Sequence, residues 1–290
     1  MRLVFLGTPA AAVVPLRALV DAGHHVELVV TRADQRRGRG PELTPSPVKA
    51  AALSLGIPVT TDVDAVIGAG AELGVVVAFG RIIKPHVLAA VPMVNLHFSL
   101  LPRWRGAAPV EQALIAGDAE TGVCLMAVEE GLDTGGVYAA ERVVIRQDDD
   151  VERLRARLVD VGTRLLVDTL ARPGGLGAPD PQVGEPTYAD KVTAADLRLD
   201  WRRPAVALVR LPRVGKAWTT FRGKRLLVLE AKVAGGPDPG LAPGALHGTV
   251  VGTADGGLER VTVQPEGRAP VTAAAWRNGA RPGPDETLGG

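Results

Sequence analysis

Apolar positions in the first half of the chain come as short unbroken runs separated by segments of helical period. Leu3 to Leu6 is one such run, closed by Gly7, and Ala10 to Ala22 spaces its apolar residues as a helix does, up to Gly23. Val26 to Thr31 reads as the next strand. A β-α-β unit of this kind predicts two parallel strands joined by a right-handed crossover. Val48 to Leu55 then reads as a helix broken by Gly56 and Pro58, residues 74–79 (GVVVAF) as a buried strand, and Val91 to Phe98 as another. The alternation predicts a doubly wound, Rossmann-like α/β layer, which the helical pattern of Val151 to Leu170 closes. Between the second strand and the second helix, residues 32–47 (RADQRRGRGPELTPSP) carry no hydrophobic period and read as a long surface loop.

The pattern changes further on. Residues 171–186 (ARPGGLGAPDPQVGEP) are rich in Gly and Pro and read as a loop or the start of a linker. Beyond Trp201, residues 225–233, 248–257 and 259–267 read as short strands separated by turns, which predicts a small β-barrel of OB-like type, or a sandwich. A length of 290 residues fits two domains of ordinary size. The expected division is a first domain over 1–188, a linker over 189–204 and a second domain over 205–290.

Composition narrows the function classes only where it is local. Lys and Arg number 33 against 32 Asp and Glu, so the whole-molecule charge of +1 names no partner. Two clusters stand out: Arg32, Arg36, Arg37 and Arg39 in the Gly-rich loop, and Arg202, Arg203, Arg210, Arg213, Lys216, Arg222, Lys224 and Arg225 around the start of the second domain. Each could be a solvated face or a track for phosphates, and no aromatic run accompanies the second cluster. The single cysteine, Cys124, excludes a disulfide framework within the chain and fits a reducing, cytoplasmic setting. A signal peptide is the weaker reading of the N-terminus, because Pro9 and Pro15 interrupt its apolar run and the β-α-β pattern continues through it. No apolar run approaches the ~20 residues of a membrane span, the histidines are too scattered for a metal site, and GTPAAA lacks the dinucleotide fingerprint.

Chemistry is concentrated in VNLHFSLLPRWRGAAP, residues 94–109. In an extended segment Asn95 and His97 face the same way, and ligands of an open parallel sheet bind beyond the carboxyl ends of its strands. An amide N–H suits a developing oxyanion and an imidazole moves protons near neutral pH, a pairing that fits acyl transfer. Asp133, in the Gly-bounded EEGLDTGG, follows His97 by 133 − 97 = 36 residues and could orient the imidazole if the chain folds back. A turn-capping Asn95, a structural His97 and an Asx-turn at Asp133 account for the same residues.

These stretches, taken in order, resemble the methionyl-tRNA formyltransferase family of folate-dependent formyltransferases: FLGTPA, GRGPELTPSPVKAAA, NLHFSLLPRWRGAAP, AGDAETGV, EEGLDTGG, TYADKVT and VQPEGRAPVTAAAWRNG. The resemblance covers nearly the whole chain. It implies a catalytic Rossmann-like formyltransferase domain, a tRNA-binding OB-like domain, and transfer of a formyl group from 10-formyltetrahydrofolate, with no metal, to methionyl initiator tRNA. It makes Asn95, His97 and Asp133 the catalytic residues. Ser99, Leu100, Leu101 and Pro102 would border the folate, with Phe79, Arg81, Ile82 and Ile83 walling its pterin or, for the apolar three, packing the core. Arg36, Arg37 and Arg39 of the basic loop, Lys49 on the next helix, and Arg213 and Lys216 would contact the tRNA.

One departure is local: LPRVGKAWT, residues 211–219, lacks the second proline that such sequences carry before Ala-Trp. A small-amine formyltransferase acting on glycinamide ribonucleotide or an aminosugar nucleotide, a 10-formyltetrahydrofolate hydrolase and an inactive RNA-binding module are the competing readings. The TPSPVK loop and the β-rich C-terminal half favour the tRNA enzyme, and a cytoplasmic monomer is expected.

Overall fold

The computed structural model describes residues 1–36, 43–235 and 240–289. They divide into two compact units, the first comprising Met1–Val110, Glu120–Val144 and Glu152–Asp190. Its elements in chain order are β1 (Arg2–Gly7), α1 (Val13–Asp21), β2 (His25–Val30), a short hairpin of β3 (Gln35–Arg36) and β4 (Leu43–Thr44), α2 (Pro47–Ser54), β5 (Val59–Thr60), β6 (Leu73–Val77), α3 (Pro85–Ala90), β7 (Met93–His97) and β8 (Arg105–Gly106). Then come β9 (Glu120–Ala127), β10 (Val137–Val144), α5 (Val151–Leu170) and β11 (Tyr188–Ala189); helix α4 (Pro109–Ala116), between β8 and β9 in the chain, lies mostly in the second unit.

The main sheet runs β10-β9-β7-β6-β1-β2-β5, parallel from β5 to β7 and antiparallel at β9 and β10. Strands β1 and β6 are apolar almost throughout because both faces of a parallel sheet are covered. The expected doubly wound layer is therefore present, extended by two antiparallel strands in a stretch where the hydrophobic pattern assigned no element. Strand β9 is buried on both faces and so shows no alternation, and β10 is the exposed edge. Helix α5 can lie close on the sheet because of Gly162: a Cβ there would sit 2.9 Å from Leu96 Cδ2 and from Val123 Cγ1. The close approach supports β7 and β9 beneath the site. The basic stretch is not featureless either, since β3 pairs with β4 and Ser46 caps α2 by accepting from Lys49 N at 3.0 Å, with Pro47 in the first turn.

The second unit comprises Glu111–Ala119, Ile145–Val151 and Lys191–Gly290. It contains two short helices, α6 (Ala205–Leu208) and α7 (Leu211–Val214), then β12 (Ala217–Phe221), β13 (Lys224–Val233), β14 (Leu246–His247), β15 (Val250–Gly252), β16 (Gly257–Pro265), β17 (Val271–Thr272) and α8 (Ala273–Ala280). The strands form an antiparallel sheet in the order β12-β13-β16-β15-β14, with β17 also on β16. Most of the expected linker, residues 191–204, lies in this unit: Leu199 and Trp201 are 2% and 5% exposed in its core, and Trp201 Nε1 donates to Thr219 Oγ1 at 3.2 Å. The Gly/Pro signal precedes the boundary, whereas the apolar residues of LRLDW need a core to cover them. The proline-poor stretch 211–219 forms α7 and the start of β12. Among the described residues no helix is long and apolar enough to cross a membrane.

Candidate active site

Strand β7 is the parallel neighbour of β6 and carries Asn95 and His97 two residues apart at its carboxyl end, so strand alternation turns both to one face. The chain then turns through Ser99–Pro102, where the Leu101–Pro102 bond is cis, and through Trp104 into β8. Ser99 is fully buried, and its hydroxyl donates to the carbonyl oxygen of Arg103 at 2.6 Å, which closes the turn. His97 Nε2 lies 2.9 Å from the carbonyl oxygen of Trp104. A carbonyl only accepts, so in the neutral ring the hydrogen is on Nε2 and the lone pair on Nδ1.

That lone pair faces Asp133. Nδ1 lies 3.6 Å from Asp133 Oδ2, with the His97 and Asp133 side chains 6% and 15% exposed. The same carboxylate oxygen accepts from Gly106 N at 2.8 Å, and Oδ1 is 3.5 Å from Asn95 Nδ2. The three residues singled out in the sequence thus meet at one carboxylate, although Asp133 lies beyond β9 in the chain. Asp133 has φ +51, a left-handed conformation that a short polar side chain tolerates better than most. The arrangement offers a half-buried neutral amide donor, a buried base at Nδ1, and a carboxylate held to stabilise the cation formed when Nδ1 takes a proton.

The other expected residues are distributed differently. Phe79 and Ile83 pack into the core with Val4, Leu6 and Val87, so their side chains belong to the fold. Ile82 between them is 89% exposed. Arg81 donates to the carbonyl oxygen of Thr61 at 2.8 Å and lies over the Phe79 ring. The Ser99 hydroxyl is consumed by its turn, while Leu100, Leu101 and Pro102 are half-buried.

Of the basic candidates, Arg36 and Lys216 are exposed, and Arg37 and Arg39 lie outside the described residues. Lys49 Nζ pairs with Asp34 at 2.7 Å. Arg213 is half-buried and donates to the carbonyl oxygens of Asp149 at 2.6 Å and Arg146 at 2.8 Å, and burial lowers its pKa. Two arginines stand at an aromatic ring, Arg225 of the second basic cluster at 4.2 Å and Arg198, missed in the sequence, at 5.5 Å from the Trp218 centroid. Thr220 pairs with Arg225 across β12 and β13, which makes Arg225 a diagonal neighbour of Trp218 on one sheet face, a relation visible only once the register is known. Gln182 and Thr187, which contact the Asp133 and Trp104 segments, were also missed, Gln182 because it lies in the Gly/Pro-rich stretch.

Residues 1–170 match the formyl transferase family and residues 191–281 match the formyl transferase C-terminal domain. The chain is 44% identical over 290 residues to a methionyl-tRNA formyltransferase of Dinoroseobacter shibae, covering 94% of this chain and 96% of the relative. It is 41% identical over 316 residues to that of Heliobacterium modesticaldum, covering 100% of each. Among solved structures, an N-formyltransferase from Helicobacter canadensis, in complex with folinic acid and dTDP-3-aminofucose, shares the fold with a TM-score of 0.67 at 15% identity, covering 91% of this chain and 98% of its own. With matches running through both units of the fold, the chain belongs to the formyl transferase family.

Proposed function

We propose that the chain transfers the formyl group of 10-formyltetrahydrofolate to the free amino group of methionyl initiator tRNA. The observation that carries this reading is a likeness above 40% identity to methionyl-tRNA formyltransferases that continues through the C-terminal unit.

The residues suit the chemistry. Asn95 has Asp133 as its only side-chain partner among the described residues, so its second amide hydrogen can donate to the formyl oxygen as negative charge develops there. His97 accepts the proton of the attacking amine at Nδ1, directly or through a water, Asp133 stabilises the resulting imidazolium, and that proton passes to the folate N10 as its bond to the formyl carbon breaks. The folate itself would approach past exposed Ile82 and half-buried Leu100, Leu101 and Pro102, apolar surface suited to a flat pterin; the two segments leave the carboxyl ends of neighbouring parallel strands.

For the tRNA, the basic loop with Arg36, Arg37 and Arg39 remains the proposed contact near the acceptor end. In the second unit the proposal keeps Lys216 and replaces Arg213 with Arg225, both around Trp218, which together offer cations and a ring face. Residues 1–188 are read as the catalytic part and the C-terminal domain as the tRNA-docking part, in a cytoplasmic monomer.

The test is incubation of the purified chain with labelled 10-formyltetrahydrofolate and charged initiator or elongator methionyl-tRNA. Labelled formyl-methionyl-tRNA, formed preferentially with the initiator, is the expected product. Release of formate without an acceptor, or formylation of a small amine in preference to the tRNA, contradicts the reading.

A further inference from the structure

Residues 179–189, most of them in the Gly/Pro-rich stretch, are laced to the segments that carry Trp104 and Asp133. Asp180 and Val137 exchange two backbone hydrogen bonds, of 2.7 and 2.9 Å. Thr187 accepts from Trp104 N at its hydroxyl, 2.9 Å, and from Arg105 N at its carbonyl oxygen, 2.8 Å. Strand β11 pairs in parallel with β8. At the centre is Gln182, whose Nε2 donates to the carbonyl oxygens of both Asp133 and Gly135 at 2.8 Å each, while its Oε1 accepts from Arg105 Nε at 3.1 Å and Nη2 at 2.7 Å. With carbonyls on one side and a guanidinium on the other, only one orientation of the amide satisfies all four bonds.

We infer that Gln182 is a positioning residue for the transfer reaction, acting through Asp133. Its donors pin both ends of the turn that holds Asp133 at φ +51, and its acceptor fixes Arg105, the residue before the Gly106 N–H that holds the Asp133 carboxylate. One amide therefore ties the segment that carries the carboxylate to the segment that carries its hydrogen-bond donor. If the tie is lost, the carboxylate shifts from His97 Nδ1, and displacements near 1 Å at a catalytic group cost on the order of 10² in rate. The inference rests on the proposed roles of Asn95, His97 and Asp133.

The test uses the full chain and four variants: Gln182→Glu, Gln182→Ala, Asp133→Asn, and Gln182→Ala combined with Asp133→Asn. Gln182→Glu keeps the size and the contact to Arg105 but turns the two donated bonds into repulsions, so a role limited to packing or to holding Arg105 survives it. The expected result is a fall in kcat of about 10- to 100-fold for both single Gln182 variants, with KM for folate and for tRNA within about three-fold of wild type. Because Gln182 acts through Asp133, adding Gln182→Ala to Asp133→Asn should lower kcat by less than about three-fold more. Wild-type turnover by folded Gln182→Glu beside an impaired Asp133→Asn overturns the inference, as does a fully multiplicative double variant. Failure of both Gln182 variants to fold overturns it too, since the role is then structural. Wild-type turnover by Asp133→Asn instead removes the reading on which the inference rests.

Discussion

Two non-glycine residues at the site, Trp104 at φ +63 and Asp133 at φ +51, occupy left-handed backbone that costs about 1–2 kcal/mol each. The groups that flank them hold them there. Trp104 gives its N–H to Thr187 and its carbonyl oxygen to His97, so the turn that looks irregular is what fixes the imidazole tautomer. Residue type alone is a poorer guide to role where a side chain is spent internally. Arg213 and Lys216 stand three residues apart in one basic stretch, yet the first satisfies two backbone carbonyls and the second is exposed. Arg213→Ala should therefore lower unfolding stability by about 1–3 kcal/mol through the acceptors left unpaired, with the salt dependence of tRNA binding unchanged. Lys216→Ala should leave stability alone and reduce the slope of log K against log salt by about 0.7 to 0.9. Denaturant unfolding and a salt titration of tRNA binding separate the two, and the opposite assignment of effects would contradict the account.

Elements position these side chains through a few close approaches. Gly122 on β9 is one: a Cβ there would collide with the carbonyl oxygen of Glu141 on β10 and with Leu100, which belongs to the turn following His97. Gly122→Ala must part the two strands or displace that turn, and it should destabilise by about 1–3 kcal/mol as overpacking does, while lowering kcat. Thermal melts and turnover of the same preparation check both. The C-terminal segment after α8 is fastened differently. Arg222 donates from Nε and Nη2 to the two carboxylate oxygens of Glu286, each at 2.6 Å, and Gly283 N donates to Oε2 at 2.7 Å. These bonds hold the Glu286 carboxyl down to about 2 from an ordinary value of 4.5. A depressed acid contributes stability that is complete above pH 4.5 and disappears as the pH falls towards 2. The stability difference between the wild type and Glu286→Gln should be constant at neutral pH and close over that window in acid titrations. A difference that persists unchanged to pH 2 would refute the linkage.

For the molecule as a whole, the chain passes back and forth between its two units, since residues 111–119 and 145–151 belong to the second and interrupt the first. Hydrophobic pattern revealed four of the five parallel strands, all but the two-residue β5, and the long helix, because a buried run or a helical period is a local property. It did not reveal β9 and β10, the place of residues 191–204, or the face shared by Trp218 and Arg225, because these depend on which strands become neighbours. Asn95 and His97 could be read from alternation at a strand end. Gln182 could not, because its partners Asp133 and Arg105 are 49 and 77 residues away. The central claim is that Asn95, His97 and Asp133 together carry out formyl transfer to methionyl-tRNA. It is tested most directly by single-turnover transfer from 10-formyltetrahydrofolate with the wild type, Asn95→Ala and His97→Ala, all shown to be folded. The account expects the rate to fall by about 10²–10³ for Asn95→Ala and about 10²–10⁴ for His97→Ala. A folded variant of either residue that transfers formyl at the wild-type rate would contradict it.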